Sequence, residues 1–432
     1  MLHRGTRWVM RVSRLKNCGD DAGTAGLVKV FAEWGLNAEP SRLSRWEYGN
    51  SRASYRLLRA YEIGCGLPPF LLFALNDRQA RSIGHRFSEV SAIDVSEILV
   101  VDDIYEIIDR ALTGEVVSGS EWYQLATFTS SRNYFYLSPD NAGIVARRLI
   151  EELARSLGPA YILRFEALHL FASQPRLYKA FIDQFLEMLK DGYTGTIGDA
   201  VSLIRRATPA IRGDLLSRMR ESDSPMVRSS HDWIADILKI RGPAKEIPVA
   251  RAKLVDLTET LCRALPKWAM AHVETDVTGP LIREALGARF RLQRHEASLL
   301  LMLAGVHESL SEQLLDAIET ETDSVLRRRL ANLLAYQVPG LNPDRLERLA
   351  LVEEDPETRQ SLWTARGHVL VPMHVSDSIV AELSDPRSQF AITYALGISG
   401  SIDDELLDRP GLSDDLRGTL GWWHQRGAAI LS

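Results

Sequence analysis

Apolar residues recur along most of the chain at the three- and four-residue spacing of amphipathic helices, and the alternating pattern of half-buried strands is rare. Residues 144–157 and 177–189 show the helical spacing clearly. Short runs with glycine or proline, such as residues 192–195 and 338–340, separate these segments as helix–helix connections do. The pattern therefore predicts an all-α protein.

The segment from Gly23 to Asp77 combines helix and turn signals at short spacing. One apolar helix face is formed by Leu27, Val30, Phe31 and Trp34. Gly35 is a suitable stop for that helix, and Pro40 suits the first turn of the next one, where its missing N–H is not needed. This spacing predicts two helices joined by a short turn.

The second of these helices has two distinct sides. Leu43 and Trp46 are three residues apart and are expected to point inward. Arg42 and Arg45, also three residues apart, share another side and are left to face a partner.

The run LSRWEYGNSRASYRLLRAYEIGCGLPPFLL (residues 43–72) resembles the Xre-like, phage-repressor class of helix-turn-helix domains. The resemblance implies a five-helix DNA-binding domain over residues 1–80, with a recognition helix at about residues 39–48 in the major groove. Three features depart from the class: a longer turn before this helix, Pro40 at an often polar position, and a long connection at residues 19–23. We therefore expect the docking geometry to differ in detail.

The resemblance also implies a role for individual residues. Ser41, Arg42 and Arg45 would read base edges, since an arginine fork can engage O6 and N7 of guanine together. The implied phosphate-binding residues are Thr24, Asn50, Arg52 and Arg56. The alternative is that Arg42 and Arg45 are solvated surface residues of a small helical domain.

The distribution of charge supports DNA contact at the N-terminus alone. The chain of 432 residues has a net charge of −6, but its first 80 residues hold 12 Lys and Arg against 7 Asp and Glu. This leaves −11 for the remainder. Phosphate contact requires basic residues, so we expect the acidic body to stay off the duplex.

The segment 81–118 is acidic, with isoleucines between the acids of residues 88–110. It is predicted either to be a connector helix packed on a neighbouring domain or to be a dimerisation helix. The run TGEVVSGS (residues 113–120) is linker-like, and a boundary is placed there, before a helical domain at residues 119–250.

Residues 251–432 show an internal repeat, which is clearest at residues 320–425. Four similar starts, 32, 30 and 28 residues apart, are Asp323, Asp355, Asp385 and Ser413. Asp or Ser followed by proline forms a helix cap, and an arginine four residues later is expected to lie against a neighbouring repeat. This pattern resembles HEAT-like repeats and implies an α-solenoid-like body. The alternative is an irregular helical bundle with caps that recur by chance.

Motifs for catalysis and cofactor binding are missing from the sequence. It has no phosphate loop, dinucleotide fingerprint, HExxH or nucleophile elbow, so no enzyme activity, catalytic residue, cofactor or metal is predicted. The three cysteines, Cys18, Cys65 and Cys262, form no CxxC pair, which fits the reducing cytoplasm. No apolar run approaches the length of a membrane span, so no membrane partner is expected.

The sequence thus favours a cytoplasmic, sequence-specific transcriptional regulator that binds double-stranded DNA as a homodimer. Its helical body would serve dimerisation or bind a protein or small-molecule effector. The alternative is a helical-repeat scaffold whose N-terminal domain docks to protein rather than DNA.

Overall fold

The computed structural model describes residues 3–18, 24–37, 39–48, 54–82, 101–131, 137–190, 209–222, 228, 231, 249–263, 265–270, 278–338, 340–385 and 387–432. Within these ranges the regular secondary structure is helical, and the β-type pairing consists of one isolated parallel bridge between Ser156 and Ile430. The prediction of an all-α fold is confirmed.

The chain forms two compact units, Met1–Glu187 with Ile430–Ser432, and Met188–Ala429. The helices of the first unit are α1 (Arg4–Cys18), α2 (Thr24–Glu33), α3 (Pro40–Glu47), α4 (Tyr55–Gly64), α5 (Leu71–Ser82), α6 (Val101–Thr113), α7 (Gly119–Ser131), α8 (Pro139–Ala154), α9 (Gly158–Ala172) and α10 (Pro175–Lys190), the last of which extends past Glu187. The four domain segments drawn on the sequence stay predictions.

The helices of the second unit are shorter on average. They are α11 (Pro209–Arg220), α12 (Arg251–Arg263), α13 (Lys267–Met270), α14 (Thr278–Gly287), α15 (Arg291–Leu303), α16 (His307–Thr320), α17 (Ser324–Leu334), α18 (Pro343–Val352), α19 (Pro356–His368), α20 (Asp377–Ser384), α21 (Gln389–Ile398), α22 (Asp404–Leu407) and α23 (Asp414–Arg426).

Helices α1 to α5 share a core at the start of the first unit. Helix α2 packs on α4, and α1 packs on α3 and α5. The approach of α2 to α4 is close, because a Cβ added at Gly64 would overlap the side chain of Leu27. The core of these helices contains Val9, Met10, Leu27, Phe31, Leu58, Tyr61 and Leu72.

Helix α5 also packs on α9, which is in extensive contact with α7. Gly119, at the start of α7, permits this close packing: an added Cβ would lie 3.0 Å from both the carbonyl oxygen of Ala160 and the Cβ of Leu163. The helices that follow the N-terminal group therefore support α5 directly.

Helix α6 contains the described part of the acidic segment. Ile104, Ile107 and Ile108 are buried and the helix packs on α7 and α8, while Asp102 and Asp103 are exposed. The apolar face of α6 is therefore occupied within the chain, and the connector and dimerisation alternatives both stay predictions. Residues 83–100, which hold the remainder of the predicted segment, lie outside the described residues.

The helices of the second unit are stacked in sequential order. Helices α17, α19, α21 and α23 pack on one another in turn, and each also packs on the helix before it: α16, α18, α20 and α22. Trp423 of α23 is buried and lies against Tyr394 of α21, with 5.9 Å between ring centroids. Trp423 thus covers part of the apolar face of α21.

The predicted repeat starts mostly act as helix caps. The side chains of Asp323, Asp355 and Ser413 each accept a hydrogen bond from a main-chain N–H in the first turn of α17, α19 and α23. Asp385 differs, because α21 begins only at Gln389, and its carboxylate accepts the N–H of Arg387 instead.

The arginines four residues after two of these starts lie against the next pair of helices. Arg327 reaches Glu353 at 2.8 Å, and Arg359 reaches Glu382 at 3.7 Å. Each carboxylate comes shortly before the next repeat start. These two ion pairs join successive helix pairs, and the assignment of the pairs to HEAT-like repeats stays a prediction.

Candidate nucleic-acid interface

A glycine turn positions α3 relative to α2. The N–H of Leu36 donates to the carbonyl oxygen of Phe31 at 2.8 Å, and Gly35, with φ of +69°, donates to that of Ala32. This pair of bonds is the usual C-terminal stop of a helix, and the left-handed conformation favours glycine. Pro40 is the first residue of α3, as the sequence predicts.

Helix α3 separates a buried side from an exposed one. Leu43 and Glu47 are buried, and Trp46 is half-buried beside the ring of Phe31. The exposed residues of α3 are Ser41, Arg42, Ser44 and Arg45. The three proposed base-reading residues therefore share one accessible face of a single helix.

The arginines on this face have no acidic partner among the residues that the structure describes. Arg45 donates from Nε to the carbonyl oxygen of Ser41 at 3.3 Å, within its own helix. Neither Arg42 nor Arg45 forms an ion pair with any residue in the part of the chain that the structure describes. Among the described residues, both guanidinium groups are therefore without a carboxylate partner.

A buried carboxylate anchors the C-terminal end of α3. Arg14 of α1 donates from Nε to Oε1 of Glu47 at 2.6 Å and from Nη2 to Oε2 at 3.0 Å. The hydroxyl of Tyr61 in α4 donates to Oε1 at 3.0 Å. Burial, reinforced by the Glu47 carboxylate, raises the pKa of Tyr61 well above its usual value, so the phenol keeps its proton as donor. Glu47 therefore joins α3 to α1 and α4.

Two more arginines of α1 meet α3 at Tyr48. Arg7 donates to the carbonyl oxygen of Tyr48, and Arg11 donates to its hydroxyl at 2.9 Å. The guanidinium carbon of Arg11 also lies 5.2 Å from the centre of the Tyr48 ring. The sequence interpretation assigned no site role to these arginines, although the spacing of Arg4, Arg7, Arg11 and Arg14 indicates one helix face.

The structure locates two of the four proposed phosphate-binding residues. Arg56 is exposed in the first turn of α4, where Ser54 caps the helix by accepting the N–H of Leu57 at 3.2 Å. Thr24 is the first residue of α2. Asn50 and Arg52 lie outside the described residues.

Buried polar contacts join α5 to α7 and α9. The hydroxyl of Tyr123 donates to Asp77 at 2.6 Å, and the carboxylate of Glu166, which is fully buried, pairs with Arg81 and lies 3.7 Å from Arg78. Burial raises the pKa of Asp77 to about 6, although the hydrogen bond from Tyr123 opposes that shift. The periodicity of the sequence does not predict the contacts of Tyr123 with Asp77 or of Glu166 with Arg81.

The chain was compared with protein families, curated proteins and solved structures. No protein-family model, curated protein or solved structure matches the chain. Among the described residues, no group of three or more His, Cys, Asp or Glu side chains could hold a metal ion, and no helix has the length and apolar character to cross a membrane.

Proposed function

We propose that this protein is a sequence-specific DNA-binding transcriptional regulator that inserts α3 into the major groove. In this proposal α1 to α5 form an Xre-like helix-turn-helix domain, in which Ser41, Arg42 and Arg45 contact base edges. Arg56, Thr24, Asn50 and Arg52 contact phosphates on the flanking backbone.

One observation carries the proposal: α3 exposes Arg42 and Arg45, which form no ion pair with any described residue, on a helix whose other side is anchored by Glu47. A base-reading helix must hold its side chains in a fixed position, because hydrogen bonds to base edges depend on distance and direction. The bonds from Arg14 and Tyr61 to Glu47 provide that support from two other helices. A merely solvated surface helix needs no such anchor.

The remaining helices are proposed to supply regulation. A homodimer would place two copies of α3 on half-sites about one helical turn apart. The stacked helices α16 to α23, proposed to form a HEAT-like solenoid, would bind a protein or small-molecule effector. That stack also favours the second candidate function, a scaffold whose N-terminal helices dock to protein.

The test is selection of binding sites from a randomised duplex library with the full chain, followed by affinity measurements on the selected site. We expect Arg45→Ala to lose about 1–3 kcal/mol of discrimination at one base pair. Arg56→Ala should instead weaken binding to all sequences and reduce the salt dependence by about one phosphate contact. Arg348→Ala removes an equally exposed charge from α18 and serves as the control.

Two results would reject parts of the proposal. If the full chain selects no motif and shows no salt-dependent binding, the scaffold function is favoured. If Arg45→Ala binds the selected site with unchanged affinity and sequence preference, α3 does not read bases through this residue.

A further inference from the structure

Residues 430–432, called the strand below, belong to the first unit and pair with residues 155–157 through one isolated bridge. The N–H of Ile430 donates to the carbonyl oxygen of Arg155 at 2.7 Å, and the N–H of Leu157 donates to that of Ile430 at 3.2 Å. These two bonds form the parallel bridge of Ile430 with Ser156. The strand is therefore held by main-chain hydrogen bonds on both sides of one residue.

The end of the strand has two further donors. The N–H of Gly119 and Nη1 of Arg164 both donate to the main-chain oxygen of Ser432, at 3.2 and 2.7 Å. The side chain of Ile430 is buried, whereas that of Leu431 is 62% exposed. This inward and outward alternation is the one expected of a strand seated in a groove.

The central arginine of the groove also has partners outside the strand. The guanidinium of Arg164 is fully buried, donates from Nη2 to the carbonyl oxygen of Val117 at 2.6 Å and approaches Glu152 at 3.3 Å. Glu152 in turn accepts the indole N–H of Trp122 at 2.8 Å. These contacts fix Arg164 with its remaining Nη1 donor directed at Ser432.

Four polar groups of the groove form hydrogen bonds with the strand. They are the carbonyl oxygen of Arg155, the N–H groups of Gly119 and Leu157, and Nη1 of Arg164. Buried donors and acceptors require a partner, and an extended main chain satisfies all four at once. A site with this requirement recognises backbone first and one apolar side chain second.

We propose that this groove is a binding site for a short extended peptide strand, occupied by residues 430–432 of the same chain, and that the strand is exchangeable. Its attachment consists of four hydrogen bonds and one buried side chain, which permits local release without unfolding of the helices. The ligand class is an extended peptide with a branched apolar residue at the position of Ile430.

Release of the strand is expected to affect the packing of α5, because α7 and α9 both line the groove and contact α5. Helix α7 contributes Gly119 to the groove and Tyr123 to Asp77, and α9 contributes Arg164 to the groove and Glu166 to the arginines of α5. The binding site itself does not depend on whether the chain binds DNA.

The experiment measures hydrogen exchange at the two amides that the strand protects, Gly119 and Leu157, in the full chain. Ile430→Asp places a charge in the groove, so both amides should exchange about tenfold faster or more. Leu431→Asp is the matched control, because this side chain is exposed, and it should leave both rates unchanged. If Ile430→Asp fails to fold, Ile430→Ala is measured at the same amides.

The second measurement adds the labelled peptide GAAILS, the sequence of residues 427–432, to the Ile430→Asp protein. Binding to this variant, restored protection of Gly119 and Leu157, and weaker binding to the unaltered chain would support an exchangeable strand. The peptide GAADLS should not bind. Unchanged exchange in the variants, or no binding of GAAILS, would overturn the proposal. Protection that depends on protein concentration would assign the strand to a second copy and overturn its assignment to the same chain.

Discussion

Arg14 and Glu47 form a two-point ion pair that links α1 to the last turn of α3, with bonds of 2.6 and 3.0 Å. We predict that Glu47→Gln destabilises α1 to α4 by about 2 kcal/mol, because the partly buried guanidinium of Arg14 loses its charged partner. Hydrogen-exchange protection in α1 and α4 measures this loss. Glu39→Gln changes an exposed carboxylate before α3 and is the control; equal protection in both variants would contradict a supporting role for Glu47.

Tyr123 and Asp77 provide a pH-dependent prediction. The pKa of Asp77 is raised to about 6. Protonated Asp77 therefore contributes its full stabilisation of the folded state below about pH 4, and this stabilisation is lost as the pH rises through 6. Tyr123→Phe removes a donor to the ionised carboxylate. It should therefore destabilise the protein by about 1–2 kcal/mol at pH 8 and by less at pH 5.

Urea unfolding at the two pH values measures this difference, with Tyr105→Phe as the control, because Tyr105 of α6 is 57% exposed. A loss of stability from Tyr123→Phe that is the same at pH 5 and pH 8 would show that the bond to Asp77 does not favour the ionised form.

His368 is predicted to make the second unit less stable in acid. Its ring lies between the carbonyl oxygen of Ala335 at 2.8 Å and the hydroxyl of Tyr394 at 2.9 Å. Burial lowers its pKa to about 4. The unfolded chain takes up this proton near pH 6.5, so the free energy of unfolding should fall by up to about 3 kcal/mol between pH 6.5 and 4.

The comparison of His368→Gln with the unaltered chain isolates this effect. The variant should lack this part of the pH dependence, whereas His374→Gln, at an exposed position, should retain it. Identical pH profiles for the unaltered chain and His368→Gln would refute the assignment.

Two glycines of the second unit should respond to alanine in opposite directions. A Cβ at Gly397 would collide with the indole ring of Trp423, so Gly397→Ala should destabilise α21 and α23 by about 1–3 kcal/mol. Gly418 in α23 has no atom within 4 Å of an added Cβ, and Gly418→Ala should stabilise the helix by about 0.5–1 kcal/mol. Thermal unfolding of both variants provides the measurement, and a tolerated Gly397→Ala would contradict the close contact with Trp423.

Much of the candidate site followed from local sequence. The spacing of Leu43 with Trp46 and of Arg42 with Arg45 predicted the two sides of α3, because side-chain direction in a helix depends on spacing alone. Gly35 marked the end of α2 and Pro40 the start of α3 for the same local reason. The sequence assigned no site role to the arginines of α1. Their spacing shows that they share a helix face, but it does not show which residues that face contacts.

The amino-acid sequence by itself determined the helical class, the helix caps at Asp323, Asp355 and Ser413, and the exposed face of α3, all of which depend on residues within a few turns. Tertiary structure alone decided that Arg14 meets Glu47, that Glu166 meets α5, and that residues 430–432 lie beside Ser156. Such contacts join positions far apart in the chain. The strand is held largely by main-chain hydrogen bonds. Because every residue type has these main-chain atoms, no pattern of side chains in the sequence predicts the contact.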